Sequence, residues 1–197
     1  MRTGLAVLLQ APRLGTVKPR LAAEVGPRHA LRLYRVMVNR ALAAAREAGL
    51  DPTIWFHPAD AGTEMRAWLG AEWDLRPQAS GDLGARLIAA EHAVDRGEGW
   101  LAIRADCPRL DAVLLREAVA VVARGEIVLG PSENGGYYLI GGRTPLPEVF
   151  EQMPWGTGTV LAETRARLTR SRLAWHELPT LRDVDTAADA RAEGLLT

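Results

Sequence analysis

Apolar residues follow two rhythms along this chain. Short continuous runs, such as Leu5-Ala6-Val7-Leu8-Leu9 and Trp100-Leu101-Ala102-Ile103, alternate with longer segments whose apolar positions recur every three or four residues. The short runs read as buried strands and the longer rhythm as amphipathic helices. Strands are predicted at 5–9, 53–57, 73–78, 100–105, 126–130, 137–141 and 173–178. Helices are predicted over 27–49, 63–69, 111–125, 157–169 and 186–195, and from the Gly81–Gly84 turn to about Arg96. In the longest, Leu31, Tyr34, Val38, Leu42 and Ala45 mark one face. Pro27 suits its first turn and Gly49 its C-terminal cap. Asp111 suits an N-cap.

Strand–helix alternation with buried strands predicts an α/β fold: a mostly parallel sheet with helices on both faces. No repeat, low-complexity tract or long linker divides the chain, so one domain is expected over 1–197. In such sheets ligands bind beyond the carboxyl ends of the strands. Four unusual segments fall at predicted strand ends: 10–21, Gly81-Asp82-Leu83-Gly84, Asp106-Cys107-Pro108 and Ser132-Glu133-Asn134-Gly135-Gly136. Their convergence on one edge is a stronger signal than any one of them.

Composition narrows the chemistry. With 24 basic and 24 acidic residues the formal net charge is +0, so no basic excess supports a nucleic-acid coat or a polybasic membrane surface. The single cysteine, Cys107, excludes an internal disulfide framework and a cysteine-built zinc site. It reads as a small buried filler or a reactive thiol. No apolar run approaches the ~20 residues of a membrane helix. Met1–Gln10 lacks a long signal core and a cleavage site, so a cytoplasmic protein is expected.

Lys18 is the only lysine in a chain otherwise built with arginine. An ammonium is a point charge and a guanidinium a planar fork, so a lysine surviving against that drift marks a role arginine cannot fill. It lies in Ala11-Pro12-Arg13-Leu14-Gly15-Thr16-Val17-Lys18-Pro19-Arg20-Leu21, where three cations fall within eight residues. The segment is either a phosphate-binding loop or a solvated basic loop. It matches neither the Walker nor the dinucleotide fingerprint. Asp106 suits Mg²⁺ or Mn²⁺ beside substrate phosphates, or a cap for the turn at Pro108. Asn134-Gly135-Gly136 suits a tight turn or a close approach of backbone to ligand. Asp185 suits a second metal ligand or the N-cap of the last helix. Trp155 stands in a loop before a helix, placed to stack on a ligand.

Taken in order, Pro12-x-x-Gly15-x-Val17-Lys18-x-Arg20-Leu21, Gly81-Asp82-Leu83-Gly84-x-Arg86, Ala105-Asp106-Cys107-Pro108, Gly130-Pro131-x-Glu133-Asn134-Gly135-Gly136-Tyr137-Tyr138, Pro154-Trp155 and Asp183-Val184-Asp185-Thr186 span nearly the whole chain. The set resembles a bacterial glycosyltransferase family encoded beside radical-SAM proteins and arsenosugar genes. That family is similar in fold to phospholactate and molybdenum-cofactor guanylyltransferases. The resemblance implies a GT-A-like, Rossmann-like nucleotide-diphospho-sugar transferase fold. It implies that Lys18 and Arg20 hold nucleotide phosphates, that Gly81–Gly84 lies by the nucleoside, and that Asp106 binds metal. Pro19 stands where the family has Thr, and Asn134 where it has Asp.

The leading expectation is a metal-dependent enzyme moving a sugar from a nucleoside diphosphate sugar to a small-molecule acceptor. Lys18, Arg20 and Asp106 stabilise the departing diphosphate, and Glu133 is the candidate base. Pro12, Gly15, Gly81, Asp82, Gly84, Arg86, Asn134, Gly135, Gly136 and Trp155 are the candidate binding residues. Asp106 and Asp185 are the candidate ligands for Mg²⁺ or Mn²⁺. Two alternatives are a nucleotidylyltransferase joining NMP to a phosphorylated metabolite and a nucleotide-binding protein without turnover.

Overall fold

The computed structural model describes residues 3–94 and 99–196. Seven strands form one sheet: β1 (Gly4–Gln10), β2 (Pro52–His57), β3 (Asp74–Pro77), β4 (Trp100–Arg104), β5 (Ile127–Pro131), β6 (Tyr137–Gly142) and β7 (Trp175–Glu177), in the order β3-β2-β1-β4-β6-β5-β7. Only β6 runs against its neighbours; the other pairings are parallel. The reversal follows from a short loop. Ser132 and Gly136 close it, with the Ser132 N–H donating to the Gly136 carbonyl at 3.0 Å. A loop this short returns the chain only as an antiparallel neighbour. The turn reading of Asn134-Gly135-Gly136 therefore holds.

Among the described residues the α-helices are α1 (Pro19–Val25), α2 (Pro27–Glu47), α3 (Gly62–Leu69), α4 (Leu83–Val94), α5 (Ala112–Ala123), α6 (Pro147–Phe150), α7 (Val160–Arg170) and α8 (Ala187–Ala192), with a 3₁₀ turn at Ala59–Ala61. Alternation along the strands divides the core in two. Leu5, Val7, Leu101 and Ile103 face α2, α5 and α8. Ala6, Trp100, Ala102 and Ile140 face α4, α6 and α7. This is the expected single α/β domain with helices on both faces. No described helix is long and apolar enough to cross a membrane.

Helices α1 and α6 are additions to the sequence reading. The first hides in the Pro- and Gly-rich loop after β1. It starts at Pro19, whose missing N–H is not needed at a first turn, and stops at Gly26 with φ 82°. The predicted end of α4, near Arg96, lies outside the described residues.

Chain order reverses at β1: the path steps outward to β2 and β3, then returns to place β4 on the other side of β1. A crevice opens at such a switch point, outside the strand ends. The segments leaving β1 and β4 there carry Lys18 and Asp106.

Candidate active site

Val17 is buried in the core and Pro19 begins α1, so Lys18 is pinned from both sides. Its backbone is left-handed, φ 48° and ψ 61°. A non-glycine residue there is held against a steric cost, as happens at functional sites. The side chain is only 10% exposed, and its Nζ lies 2.7 Å from Asp106 Oδ2 and 2.9 Å from Asp185 Oδ1.

Asp106 ends the central strand in a nearly closed environment, its side chain 9% exposed. Oδ2 accepts from Lys18 and Arg104, while Oδ1 is buried with no partner. Burial pushes the carboxyl upward, but Arg104 and Lys18 outweigh it and hold the group ionised, well below its ordinary value. Burial and the nearby Arg104 work against the Lys18 ammonium, but Asp106 and Asp185 outweigh them and raise it. An ionised carboxylate with one lone-paired oxygen left over, in a site of low dielectric, is a poised ligand for a further cation.

The other acids arrive through the backbone. The Val184 N–H donates to the Asp106 carbonyl at 2.9 Å, and the Val184 side chain is fully buried. That anchor brings the flanking Asp183 and Asp185 to Asp106. Ligand oxygens of the three lie within 4.8 Å of one another. Asp185 is not the helix cap. Thr186 caps α8, with Asp189 completing a capping box, so the carboxylate of Asp185 is left for Lys18 and Arg20. Burial and Asp106 push Asp183 upward, and its Oδ2 accepts from Asn134 Nδ2.

Two cavities of about 430 Å³ each flank this cluster. One lies toward β1 and α2, walled by Lys18, Tyr34, Gln78 and Asp106. The other lies on the α4–α7 side, walled by Leu87, Ile140, Trp155 and Val160. Arg20, Leu83, Arg104, Gly156 and Asp185 border both.

The structure thus gathers Lys18, Arg20, Asp106 and Asp185 and places Asn134, Gly136 and Trp155 in the second cavity's wall. The remaining candidates lie elsewhere. Pro12 and Gly15 shape the loop outside both walls. Arg13 turns away to Glu64 and Asp60 on the far side of that loop. Asp82 accepts from the Ala85 N–H at 2.9 Å and caps α4. Arg86 donates to the Gly81 carbonyl and to Gln78. Gly84 is tight against protein: a Cβ there would sit 2.6 Å from the Phe150 carbonyl oxygen. Gly135 likewise approaches backbone, since a Cβ would sit 2.1 Å from the Gly158 carbonyl oxygen. Glu133 is exposed, paired with Arg182 at 2.7 Å, and lines neither cavity. Cys107 is buried, and burial raises its thiol well above the ordinary value, so it is filler rather than nucleophile.

Three residues escaped the sequence reading. Gln78 donates to the Leu9 and Trp55 carbonyls, bridging the ends of β1 and β2. Asp183 was visible only as half of an Asp-x-Asp pair. Arg104 was detectable: it is the one charged residue in the apolar run from Trp100 to Ala105.

The strand order, the single reversed strand and the charged crevice beside β1 and β4 define the nucleotide-diphospho-sugar transferase fold. The chain belongs to the family described as "Uncharacterized protein conserved in bacteria (DUF2064)", which matches residues 40–157. It is similar to a protein from Desulfovibrio desulfuricans G20 described as a "putative nucleotide-diphospho-sugar transferase", with 32% identity, TM-score 0.91, and coverage of 98% of this chain and 86% of that one. It shares its fold with Rv0371c from Mycobacterium tuberculosis H37Rv in complex with manganese, at 23% identity, TM-score 0.59 and 98% coverage of both chains. The same holds for the inositol-1-phosphate CTP transferase from T. maritima, at 14% identity, TM-score 0.62 and coverage of 99% and 95%. No curated protein matches the chain.

Proposed function

We propose that this chain is a metal-dependent transferase that binds a nucleoside diphosphate sugar and moves the sugar to a small-molecule acceptor. The observation that carries the reading is the unpartnered, buried Oδ1 of Asp106, set among three carboxylates beneath Lys18, Arg20 and Arg104. The donor set is all oxygen, which suits Mg²⁺ or Mn²⁺ and not a thiolate-loving metal. Asp106 and Asp185 would hold the ion, with Asp183 beside them. When bound, the ion supplies positive charge to a diphosphate as it departs.

The chain's own groups account for the rest. Lys18, Arg20 and Arg104 pair with Asp106 and Asp185, and Asp183 lies beside them, so three cations and three acidic groups share the site before ligand arrives. Asp106 and Asp185 would hold a divalent ion whose charge would offset the two negative charges of a nucleoside diphosphate sugar. Lys18 and Arg20 then exchange carboxylate partners for phosphate oxygens, a fixed electrostatic brace for charge that grows as the bond to the sugar breaks. Tyr34 and Gln78 line the cavity on the side of Lys18, where the nucleoside fits.

Nucleotidylyl transfer is the second reading. It is favoured by one feature: Arg20, Arg104 and Asp185 stand at the junction of the two cavities, where a phosphorus centre between two substrates would also lie. A screen of melting temperature with MnCl₂ against nucleotides and nucleotide sugars, followed by product analysis, separates the readings. A ligand at 100 times its Kd adds about 2.7 kcal/mol to native stability. Stabilisation by nucleotide sugars with release of nucleoside diphosphate supports glycosyl transfer. Response to triphosphates alone, with pyrophosphate release, replaces it with the second reading. Binding without any product overturns both in favour of a nucleotide-binding protein.

A further inference from the structure

The cavity on the α4–α7 side has a structural cause. At its floor β4 presents Ala102, flanked in register by Ala6 on β1 and Ile140 on β6. On the opposite face the same strands present Val7, Leu101 and Ile103. An alanine at 102, where a bulky residue would fill the layer, leaves room above the centre of the sheet. Leu83 and Leu87 from α4, Tyr137 and Ile140 from β6, and Trp155 and Val160 enclose that room, about 430 Å³. This is the size of a small-ligand site.

The Tyr137 hydroxyl and the Trp155 indole N–H make no hydrogen bond among the described residues but are themselves buried, and the Asn134 and Thr157 side chains in the wall are already engaged. The Asn134 amide serves Ser132, Gly136 and Asp183. The Thr157 hydroxyl serves Pro154 and Thr159. A polyol entering here would leave hydroxyls without partners, which is unfavourable in a closed apolar space. At the mouth stands Arg104, which spends Nη2 on Asp106. Its Nε and Nη1 make no hydrogen bond among the described residues. Nη2 has a second N–H, so one fork of the guanidinium, Nη2 with either Nε or Nη1, is left to receive a carboxylate or a phosphate monoester through paired N–H donors.

We propose that this cavity is the acceptor site and that its occupant is a small amphipathic acid: a ring-sized apolar body against Leu87, Ile140 and Trp155, with an anionic head at Arg104. The assignment rests on the transferase reading above, with the nucleotide in the neighbouring cavity.

The test uses the full chain with methyl-labelled Leu, Ile and Val, in MgCl₂, titrated with phenyl phosphate, phenol, glucose 1-phosphate and inorganic phosphate and followed by NMR. Phenyl phosphate is expected to shift the Leu87, Ile140 and Val160 methyl signals. Its Kd should be at least tenfold below those of glucose 1-phosphate and inorganic phosphate. Arg104→Gln should weaken phenyl phosphate about tenfold and leave phenol unchanged. Ala102→Val and Leu87→Trp fill the space from two different elements. Each should weaken phenyl phosphate at least tenfold while GDP and UDP bind as in the wild type.

Equal or tighter binding of glucose 1-phosphate at these methyls overturns the proposal. So does the absence of any methyl shift, or filled variants that bind phenyl phosphate normally. The wild-type ranking decides the matter if a filled variant fails to fold. Failure of the wild type to bind any nucleotide would instead overturn the transferase reading, and leaves the ranking of the four compounds as a separate result.

Discussion

Lys18 brings a point charge between two carboxylates at 2.7 and 2.9 Å, from a left-handed backbone and with little solvent around it. Arginine in that gap keeps the charge but not the shape. Lys18→Arg should therefore reduce nucleotide affinity by about tenfold to a hundredfold, the cost of one charge-assisted hydrogen bond at about 1.5–3 kcal/mol. Because the side chain is buried, the melting temperature should fall as well. Titration calorimetry and thermal denaturation of the two proteins check both parts, and unchanged values would make the lone lysine an accident of composition. Asn134 is tied to Asp183 by a donated hydrogen bond, which Asp cannot supply. Asn134→Asp sets a carboxylate against a buried carboxylate, an unfavourable like-charge contact. The variant should melt below the wild type in EDTA and recover when MnCl₂ neutralises the cluster. Equal melting temperatures in EDTA would show that the contact carries no weight.

At the scale of elements, α8 is placed by its cap. Thr186 accepts from the Asp189 N–H, and Asp189 answers by accepting from the Thr186 N–H. Thr186→Ala should cost about 0.5–2 kcal/mol of stability. It should also weaken nucleotide binding, because Asp185 is the next residue in the chain; stability loss with unaltered affinity would separate α8 from the site. Asp185 and Thr186 are adjacent and both suit an N-cap, so only the reach of Asp189 decides between them, and the sequence pattern alone left that open. The strands were legible because buried parallel strands are continuous apolar runs. Lys18 and Asp106 could be brought together on topology alone, since both leave strand ends. What was hidden depends on contacts far apart in the chain. Gly84 and Gly135 look like glycines for ligand approach, yet the space each preserves is taken by backbone from α6 and from the loop before α7. Helix α1 was masked because Pro19 reads as loop after Pro12 and Gly15, whereas Pro19 and Gly26 in fact shape its two ends.

For the whole molecule, a neutral surface balance conceals a concentrated charge cluster: three cations and three carboxylates at one crevice, beside β1 and β4, between two cavities of similar size. The sheet supplies rigidity, and the switch point supplies the opening. The central claim is that this crevice binds nucleotide through a metal held at Asp106. Calorimetric titration of UDP and GDP into wild type and Asp106→Asn, each with and without MnCl₂, tests it most directly. Removing one member of a buried ion pair costs about 3–5 kcal/mol, so Asp106→Asn is first shown by circular dichroism to be folded at the titration temperature. The account predicts tight binding by the wild type that falls at least tenfold without MnCl₂, and weak, manganese-independent binding by the variant. Binding by folded Asp106→Asn with undiminished affinity and the same dependence on manganese would contradict it.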